Sequence, residues 1–179
     1  MNIWHDIEAE KIDPESFIAV IEISKGGKTK YEFDKNTGLL KLDRILFTST
    51  HYPANYGFIP RTYAEDKDPL DVLVLCSESI LPMTLVACSP IGILKMNDEG
   101  QSDEKIIAIC RDDPFYNSYT DIGQLPSHIF EEIRHFYEVY KTLEHKETMV
   151  NEIEDNIHAK YVIKQCMENY DKRFLEAHL

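Results

Sequence analysis

Hydrophobic residues alternate with polar ones over the first third of the chain, and this alternation predicts β-strands. The runs 17–24, 29–33 and 39–47 are rich in β-branched and other apolar residues, and turns that contain glycine separate them. The first two runs predict a hairpin. All three together predict a β-meander.

The middle of the chain predicts a loop followed by further strands. Residues 51–60 combine two prolines, a glycine and three aromatic residues, which is typical of an irregular loop with bulky anchors. The apolar run 70–76 predicts a fully buried strand. Further strands are predicted at 84–88 with 91–95 and at 105–111. Short strands at this spacing favour a small barrel or sandwich.

The hydrophobic period changes to that of a helix in the last third. Apolar residues recur on one face from Pro126 to about Leu143, which predicts a helix of about 16 to 18 residues. A second helix is predicted from residue 154 or 155, with an apolar stripe that reaches Phe174. The pattern as a whole predicts an α+β fold, a β-barrel with helices packed outside it.

Length and composition limit the class of protein. A chain of 179 residues, 43% of them hydrophobic, can bury a sizeable core, and no linker divides it, so we expect residues 1–179 to form a single domain. No apolar stretch approaches the roughly 20 residues of a membrane span, and the N-terminus lacks a signal-peptide pattern. We expect a cytoplasmic protein without a membrane partner. The four scattered cysteines predict free thiols in a reducing compartment.

The net charge of −13 argues against broad contact with nucleic acid, which requires a basic face. Most acidic residues are typical of a solvated surface. The segment Asp66-Lys67-Asp68-Pro69-Leu70-Asp71 differs, because it concentrates three carboxylates just before an apolar strand. Two like charges ~4 Å apart repel by roughly 4 kcal/mol at a surface-like dielectric, so a cation must lie between them if they converge.

Carboxylates without a companion His or Cys favour Mg²⁺, Mn²⁺ or Ca²⁺ over zinc. A solvated acidic turn explains the segment equally well when it is taken alone. A second acidic pair, Asp98 and Asp103, lies in a turn between two predicted strands, and Lys105 shares a face with Asp103. The strands between these segments would bring both to one mouth of a barrel, which predicts a site for several metal ions.

Charged residues also interrupt strand-like runs in the first third of the chain. They are Glu22, Lys30, Glu32 and Arg44. An inward-facing charge is costly unless it is paired or bound to a metal. The alternative for each one singly is a solvent-facing position on a one-sided sheet.

Taken in order with Tyr52-Pro53-Ala54-Asn55-Tyr56-Gly57 and Tyr140-Lys141, these residues resemble the soluble family I inorganic pyrophosphatases, particularly the bacterial ones. The resemblance extends from about residue 15 to 143. It implies an OB-like five-stranded β-barrel flanked by two main α-helices. It also implies hydrolysis of pyrophosphate to two orthophosphates by a metal-activated water, three to four Mg²⁺ ions per site, with Mn²⁺ or other divalent cations as substitutes, and a homohexamer.

The resemblance further implies a role for each matching residue. The expected metal ligands are Asp66, Asp71, Asp98 and Asp103, with Glu22 close behind them. Asp68 corresponds to the general base. The residues expected to hold phosphate oxygens are Lys30, Arg44, Tyr56, Tyr140 and Lys141, and the supporting residues are Glu32, Tyr52 and Lys105.

The chain departs from the family pattern in three places. Lys67 stands where the family usually has a small or acidic residue, and His51 replaces a hydrophobic aromatic residue. The Gly-Trp-containing stretch of the family is not recognisable around 147–154, and the chain's one tryptophan is Trp4. These departures affect the expected oligomer contacts more than the expected chemistry.

Two other functions compete with this interpretation. One is an OB-type module that binds nucleic acid or oligosaccharide, whose basic, aromatic-studded face is at odds with the acidic composition. The other is a metal-dependent hydrolase of a larger phosphate ester or anhydride, such as a nucleotide.

Overall fold

The computed structural model describes residues 2–175. The strands are β1 (Ile12–Asp13), β2 (Ser16–Ile23), β3 (Thr29–Phe33), β4 (Leu40–Ile45), β5 (Asn55–Phe58), β6 (Asp71–Leu75), β7 (Leu85–Asp98), β8 (Gln101–Cys110) and β9 (Thr148–Asp155). The helices are α1 (Ile3–Asp6), α2 (Ser127–Val139) and α3 (Asn156–Phe174). Short 3-10 turns occur at Ala9–Lys11, Ile122–Gln124 and Thr142–Glu144.

Five strands close into a barrel in the order β2-β5-β6-β8-β7, and β7 pairs back onto β2. Strands β6 and β8 run parallel, whereas the other pairs of the ring are antiparallel. Strand β1 extends the sheet beyond β2, and β9 extends it beyond β7. The expected α+β class and five-stranded barrel are therefore confirmed, and α2 and α3 are the two main helices.

Strand β5 lies where a loop was predicted, so that prediction was wrong for residues 55–58. All four residues of the strand are buried, between β2 and β6. Gly57 permits the close approach, because a Cβ atom there would lie 1.8 Å from the carbonyl oxygen of Val20 on β2. The glycine that was interpreted as a sign of a loop is instead the residue that lets β5 pack against β2.

The predicted meander was also wrong in its pairing. Strands β3 and β4 form a separate two-stranded sheet, while β2 pairs with β5 and β7. Strand β2 does not pair with this small sheet through its backbone. A side chain connects the two, since the Phe33 amide donates to Glu22 Oε1 at 2.7 Å.

The apolar run of β6 is continuous because both faces of the strand are covered, as predicted for a fully buried strand. Val72 and Val74 belong to the cluster that α3 covers with Ile163, whereas Leu73 belongs to the cluster that α2 covers with Phe136. All four cysteines are buried, and none of them pairs with another.

The helices begin near their predicted starts, but α2 is shorter than predicted. It has 13 residues and ends at Val139, because the chain tightens into the 3-10 turn Thr142–Glu144. Helix α3 begins at Asn156, where the Asp155 side chain accepts from the His158 amide at 3.1 Å. Strand β9 was not predicted. Within residues 2–175, no helix has the length and apolar character needed to span a membrane.

Candidate active site

One cavity of about 290 Å³ collects most of the predicted site residues. The predicted residues that line it are Glu22, Lys30, Glu32, Tyr56, Asp66, Asp68, Asp71, Asp98, Asp103, Lys105, Tyr140 and Lys141. Lys35, which the sequence analysis did not single out, lines the same cavity. The charged residues that interrupt β2 and β3 therefore face a shared cleft.

Two predicted residues do not line this cavity. Arg44 lies opposite Lys30 in the β3–β4 register, and its Nε is 2.9 Å from Glu144 Oε1, while its Nη2 is buried without a hydrogen-bond partner. The Tyr52 ring is buried against Tyr56, with ring centroids 5.4 Å apart. Neither side chain therefore lines the cavity, although the two residues contact Glu144 and Tyr56 respectively.

The parallel pairing of β6 with β8 brings separate carboxylates together. Asp71 begins β6 and lies beside Lys105 on β8, and Asp103 lies two residues earlier on the same face of β8. The Lys105 ammonium donates to Asp71 Oδ2 at 2.7 Å and to Asp103 Oδ1 at 2.9 Å. The rings of Tyr56 and Tyr137 lie 5.5 and 5.3 Å from the same ammonium.

Burial and like charge change the protonation of these groups. Burial would lower the pKa of Lys105, but Asp103 and Asp71 outweigh it and hold that pKa well above its ordinary value. Burial raises the pKa of Asp103 against the opposing effect of Lys105. Burial and the nearby charge of Asp103 raise the pKa of Asp66. Like charges therefore converge in the cleft, as the sequence analysis required of a cation site.

Glu22 lies deepest among the carboxylates of β2 and β3. Its side chain accepts from the Phe33 amide, and the residue is 8% exposed. Burial and, secondarily, the charge of Asp71 raise the pKa of Glu22 to about 8. A buried glutamate with this pKa favours protonation at neutral pH unless a cation compensates its charge.

Asp98 lies at the tip of the β7–β8 hairpin, opposite Gln101. Its Oδ2 accepts from Lys141 Nζ at 2.5 Å, and its Oδ1 is buried without a hydrogen-bond partner. The Lys141 ammonium lies 5.5 Å from the Tyr140 ring centroid. The end of α2 thus lies at the hairpin tip, where Lys141 contacts Asp98.

The acidic loop 64–70 presents its carboxylates through a tight local fold. The Asp68 amide donates to Asp66 Oδ1 at 3.0 Å, and the Asp68 carbonyl accepts from the Ala64 amide at 2.8 Å. Lys67 between them has a left-handed backbone with φ of 69° and is exposed. It does not line the cavity. The left-handed conformation gives a physical reason for a small residue such as glycine at this position.

The donor set fits hard divalent cations. The predicted metal ligands that line the cavity offer carboxylate oxygens, and one of these oxygens, Asp98 Oδ1, is buried without a hydrogen-bond partner. Within residues 2–175, no group of three or more Asp, Glu, His or Cys side chains is arranged closely enough to hold a metal ion. The Lys105 ammonium lies between Asp71 and Asp103. The predicted ligands share one cavity, and their coordination stays a prediction.

The fold and the site together define an α+β protein whose five-stranded barrel bears a cleft of carboxylates and lysines. The family model of inorganic pyrophosphatase matches residues 19–171. The chain is 51% identical over 174 residues to soluble inorganic pyrophosphatase PPA1 of Solanum tuberosum, covering 97% of this chain and 82% of that protein. It is 49% identical over 172 residues to soluble inorganic pyrophosphatase 1 of Arabidopsis thaliana, covering 96% and 81%.

Solved structures agree with this result. The inorganic pyrophosphatase of Thermus thermophilus superposes with a TM-score of 0.91 at 37% identity, covering 96% of this chain and 99% of that one. That of Helicobacter pylori superposes with a TM-score of 0.88 at 39% identity, covering 93% and 99%. The chain belongs to the inorganic pyrophosphatase family of enzymes, and the resemblance inferred from its sequence is confirmed.

Lys35 and Glu144 are among the residues that contact the predicted site and that sequence reasoning missed. Lys35 pairs with Asp68, and Glu144 pairs with Arg44. Lys35 follows β3 in a turn, where a single lysine has no distinctive pattern. Glu144 lies just beyond the Tyr140-Lys141 motif, and only the 3-10 turn reveals that it faces β4.

Proposed function

We propose that this protein hydrolyses inorganic pyrophosphate to two orthophosphates, with Mg²⁺ ions and direct attack of a metal-activated water. The cavity in which carboxylates and lysines meet is the observation that carries the proposal. A chain of net charge −13 can bind a polyanion only where cations reverse the local sign of the charge. The relatives with about half of their residues identical are named soluble inorganic pyrophosphatases.

The carboxylates of the cleft would hold the cations. The residues in this role are Asp66, Asp71, Asp98 and Asp103, with Glu22 close behind them. We propose three to four ions per site, with Mn²⁺ or other divalent cations as substitutes. Bound Mg²⁺ would supply positive charge for the substrate and an activated water as the nucleophile.

Asp68 would accept and hold the proton of the attacking water, since its carboxylate lines the cavity beside Asp66. Lys30 and Lys141 would neutralise charge on the phosphoryl oxygens, and the Tyr56 and Tyr140 hydroxyls would donate to them.

The remaining residues of the predicted set would have supporting roles, together with Arg44, which would bind phosphate. Arg44 would reach a phosphoryl oxygen through its buried, unpartnered Nη2. Glu32 pairs with Lys30 at 2.5 Å and would orient it. Lys105 would hold Asp71 and Asp103 in place, and Tyr52 supports Tyr56 by packing.

The proposal extends to the setting of the enzyme. We infer that residues 1–179 form a single domain that acts in the cytoplasm. We further infer a homohexamer, with pyrophosphate as the ligand and neither nucleic acid nor a membrane as a partner.

The test is orthophosphate release from pyrophosphate during a Mg²⁺ titration of the wild type, Asp68→Asn and Asp112→Asn. Asp112 is an exposed aspartate that does not line the cavity, so Asp112→Asn is the matched control. We expect turnover to depend on more than one Mg²⁺ and Asp68→Asn to lose roughly 10²- to 10⁴-fold in kcat. Near-full activity of Asp68→Asn would remove the assignment of the base.

Competition separates the two alternative functions. Nucleoside triphosphates should inhibit pyrophosphate hydrolysis weakly and should be hydrolysed slowly. Faster release of phosphate from a nucleoside triphosphate, or tight salt-sensitive binding of single-stranded DNA without phosphate release, would overturn the proposal.

A further inference from the structure

Lys35 is a charged residue of the cleft to which the roles above assign nothing. It lies in the turn between β3 and β4, and it lines the same cavity as the predicted metal ligands. Its ammonium forms an ion pair with the Asp68 carboxylate. Among residues 2–175, Lys35 is the one cationic side chain within ion-pairing distance of Asp68.

The first helix fixes Lys35 from the other side. The Lys35 ammonium lies 5.3 Å from the centroid of the Trp4 ring, within the range of a cation–π contact. The Asn2 side-chain amide donates to the Lys35 carbonyl oxygen at 3.1 Å. Both the main chain and the side chain of Lys35 are therefore held by the segment Asn2–Asp6. A lysine held in this way loses less freedom when it pairs with a carboxylate.

Trp4 is itself anchored to the segment between β5 and the acidic loop. It is 4% exposed, and its indole N–H donates to the Thr62 carbonyl oxygen at 2.9 Å. The Arg61 amide donates to the Trp4 carbonyl oxygen at 2.9 Å. Thr62 Oγ1 in turn accepts from the Leu70 amide at 2.8 Å, which ties together the two ends of the acidic loop.

The Trp4 ring contacts Lys35, and the indole N–H of Trp4 donates to the Thr62 carbonyl oxygen. Because Thr62 also binds the far end of the acidic loop, Trp4 is linked indirectly to the loop that carries Asp68. We propose that Lys35 is a positioning residue that aims the Asp68 carboxylate within the cavity, and that the segment Asn2–Asp6 holds Lys35 for this purpose through Trp4. This inference rests on the proposed function, in which Asp68 handles the proton of the attacking water. It assigns a role in turnover to an N-terminal segment that lies outside the cavity lining.

The Lys35 ammonium pairs with Asp68, the proposed general base, whereas the ammonium groups of Lys30 and Lys141 pair with other carboxylates of the cleft. Loss of Lys35 should therefore lower kcat more than it raises KM. Loss of a residue that only binds the substrate in the ground state would instead raise KM and leave kcat unchanged.

The experiment measures kcat and KM for pyrophosphate at saturating Mg²⁺ in full-length wild type, Lys35→Met, Lys35→Arg and Lys41→Met. Lys41 is an exposed lysine of the same β3–β4 hairpin that does not line the cavity, so Lys41→Met is the control. We expect Lys35→Met to lose roughly 10- to 100-fold in kcat, with KM changed by no more than about 2-fold. Lys35→Arg should recover most of the loss, because arginine keeps the charge and stacks on tryptophan.

The role of Trp4 is tested by Trp4→Leu alone and in combination with Lys35→Met. The double variant should be no slower than Lys35→Met, because both changes act through the same contact. If Trp4→Leu fails to fold, Trp4→Phe replaces it, since phenylalanine keeps an aromatic ring but lacks the indole N–H donor.

Four outcomes would overturn the proposal: an unchanged kcat in Lys35→Met, a raised KM with kcat retained, no recovery in Lys35→Arg, or additive losses in the double variant. Failure of the proposed function would look different, since wild type itself would then release no orthophosphate from pyrophosphate.

Discussion

Asp71 and Lys105 lie side by side where β6 and β8 run parallel, and their side chains meet at 2.7 Å. The pairing places a buried ammonium against two carboxylates from different parts of the chain, since Lys105 also contacts Asp103. The free energy of this contact depends on both carboxylates being ionised. The residue that holds the candidate metal ligands together therefore also stabilises the barrel.

Replacement of Lys105 by methionine should lower the free energy of unfolding in EDTA by about 3 kcal/mol, because it leaves two partly buried carboxylates without their partner. Added Mg²⁺ should restore part of the loss. Urea denaturation with and without Mg²⁺ measures both effects. Lys146→Met removes an exposed lysine paired with Glu99 and is the control. An equal loss in the two variants would contradict the prediction.

The metal-free protein should become less stable as pH rises. Glu22 has a pKa of about 8 in the folded state against 4.5 ordinarily, so the folded state binds the extra proton. The contribution of Glu22 to stability is fully present below pH 4.5 and is lost as pH rises through about 8. The free energy of unfolding should fall by at most about 1.4 kcal/mol per pH unit through this loss.

Urea unfolding in EDTA at a series of pH values measures this slope. Glu22→Gln removes the titrating group and should flatten it. A slope that is the same in Glu22→Gln as in the wild type would assign the pH dependence to other carboxylates, such as Asp66 and Asp103, whose pKa values are also raised.

Asp98→Asn should raise the Mg²⁺ concentration for half-maximal turnover by at least roughly 10-fold. Substitution of residues that merely support the ligands of a metal site already lowers metal affinity by this factor. Asp98 presents a buried oxygen without a hydrogen-bond partner, and the substitution removes its charge. A Mg²⁺ titration of orthophosphate release measures the shift, and Asp112→Asn should leave the titration unchanged. A titration of Asp98→Asn that matches the wild type would exclude Asp98 as a ligand.

Lys67→Gly should raise the free energy of unfolding by roughly 0.5–1 kcal/mol, because a lysine at φ of 69° is strained and glycine is not. The gain is reduced by the greater freedom of glycine in the unfolded chain. Thermal and urea unfolding measure it. Lys28→Gly, at a position without a positive φ, should lower stability. A loss of stability in both variants would show that strain at residue 67 is small.

Sequence reasoning predicted well those elements whose hydrophobic pattern lies within the element itself. The continuous apolar run of β6 and the periodic stripes of α2 and α3 each report burial directly. Strand β5 was missed because Gly57 is required by the backbone of β2, a partner distant in sequence. Strand β9 was missed because five of its eight residues are polar or charged, and because its position depends on pairing with β7.

The site shows the same division between local and distant information. The segment from Asp66 to Asp71 could be recognised as a unit, and the cavity gathers its carboxylates with those of the β7–β8 hairpin. Lys35 could not be recognised, since its importance depends on Trp4 and Asp68, which only the packing of α1 brings near it. Arg44 was expected to hold phosphate oxygens; its side chain pairs with Glu144 and does not line the cavity, and its role stays a prediction.

Closure of the barrel by β2 and β7 also has a consequence during protein synthesis. Phe17 pairs with Cys88, so the first long strand must wait for a partner that the ribosome makes roughly 4 to 14 s later. During this interval β2 has an apolar edge without its β7 neighbour. The nascent chain is therefore most vulnerable to aggregation before residue 88 emerges, and chaperones would act on it at that stage.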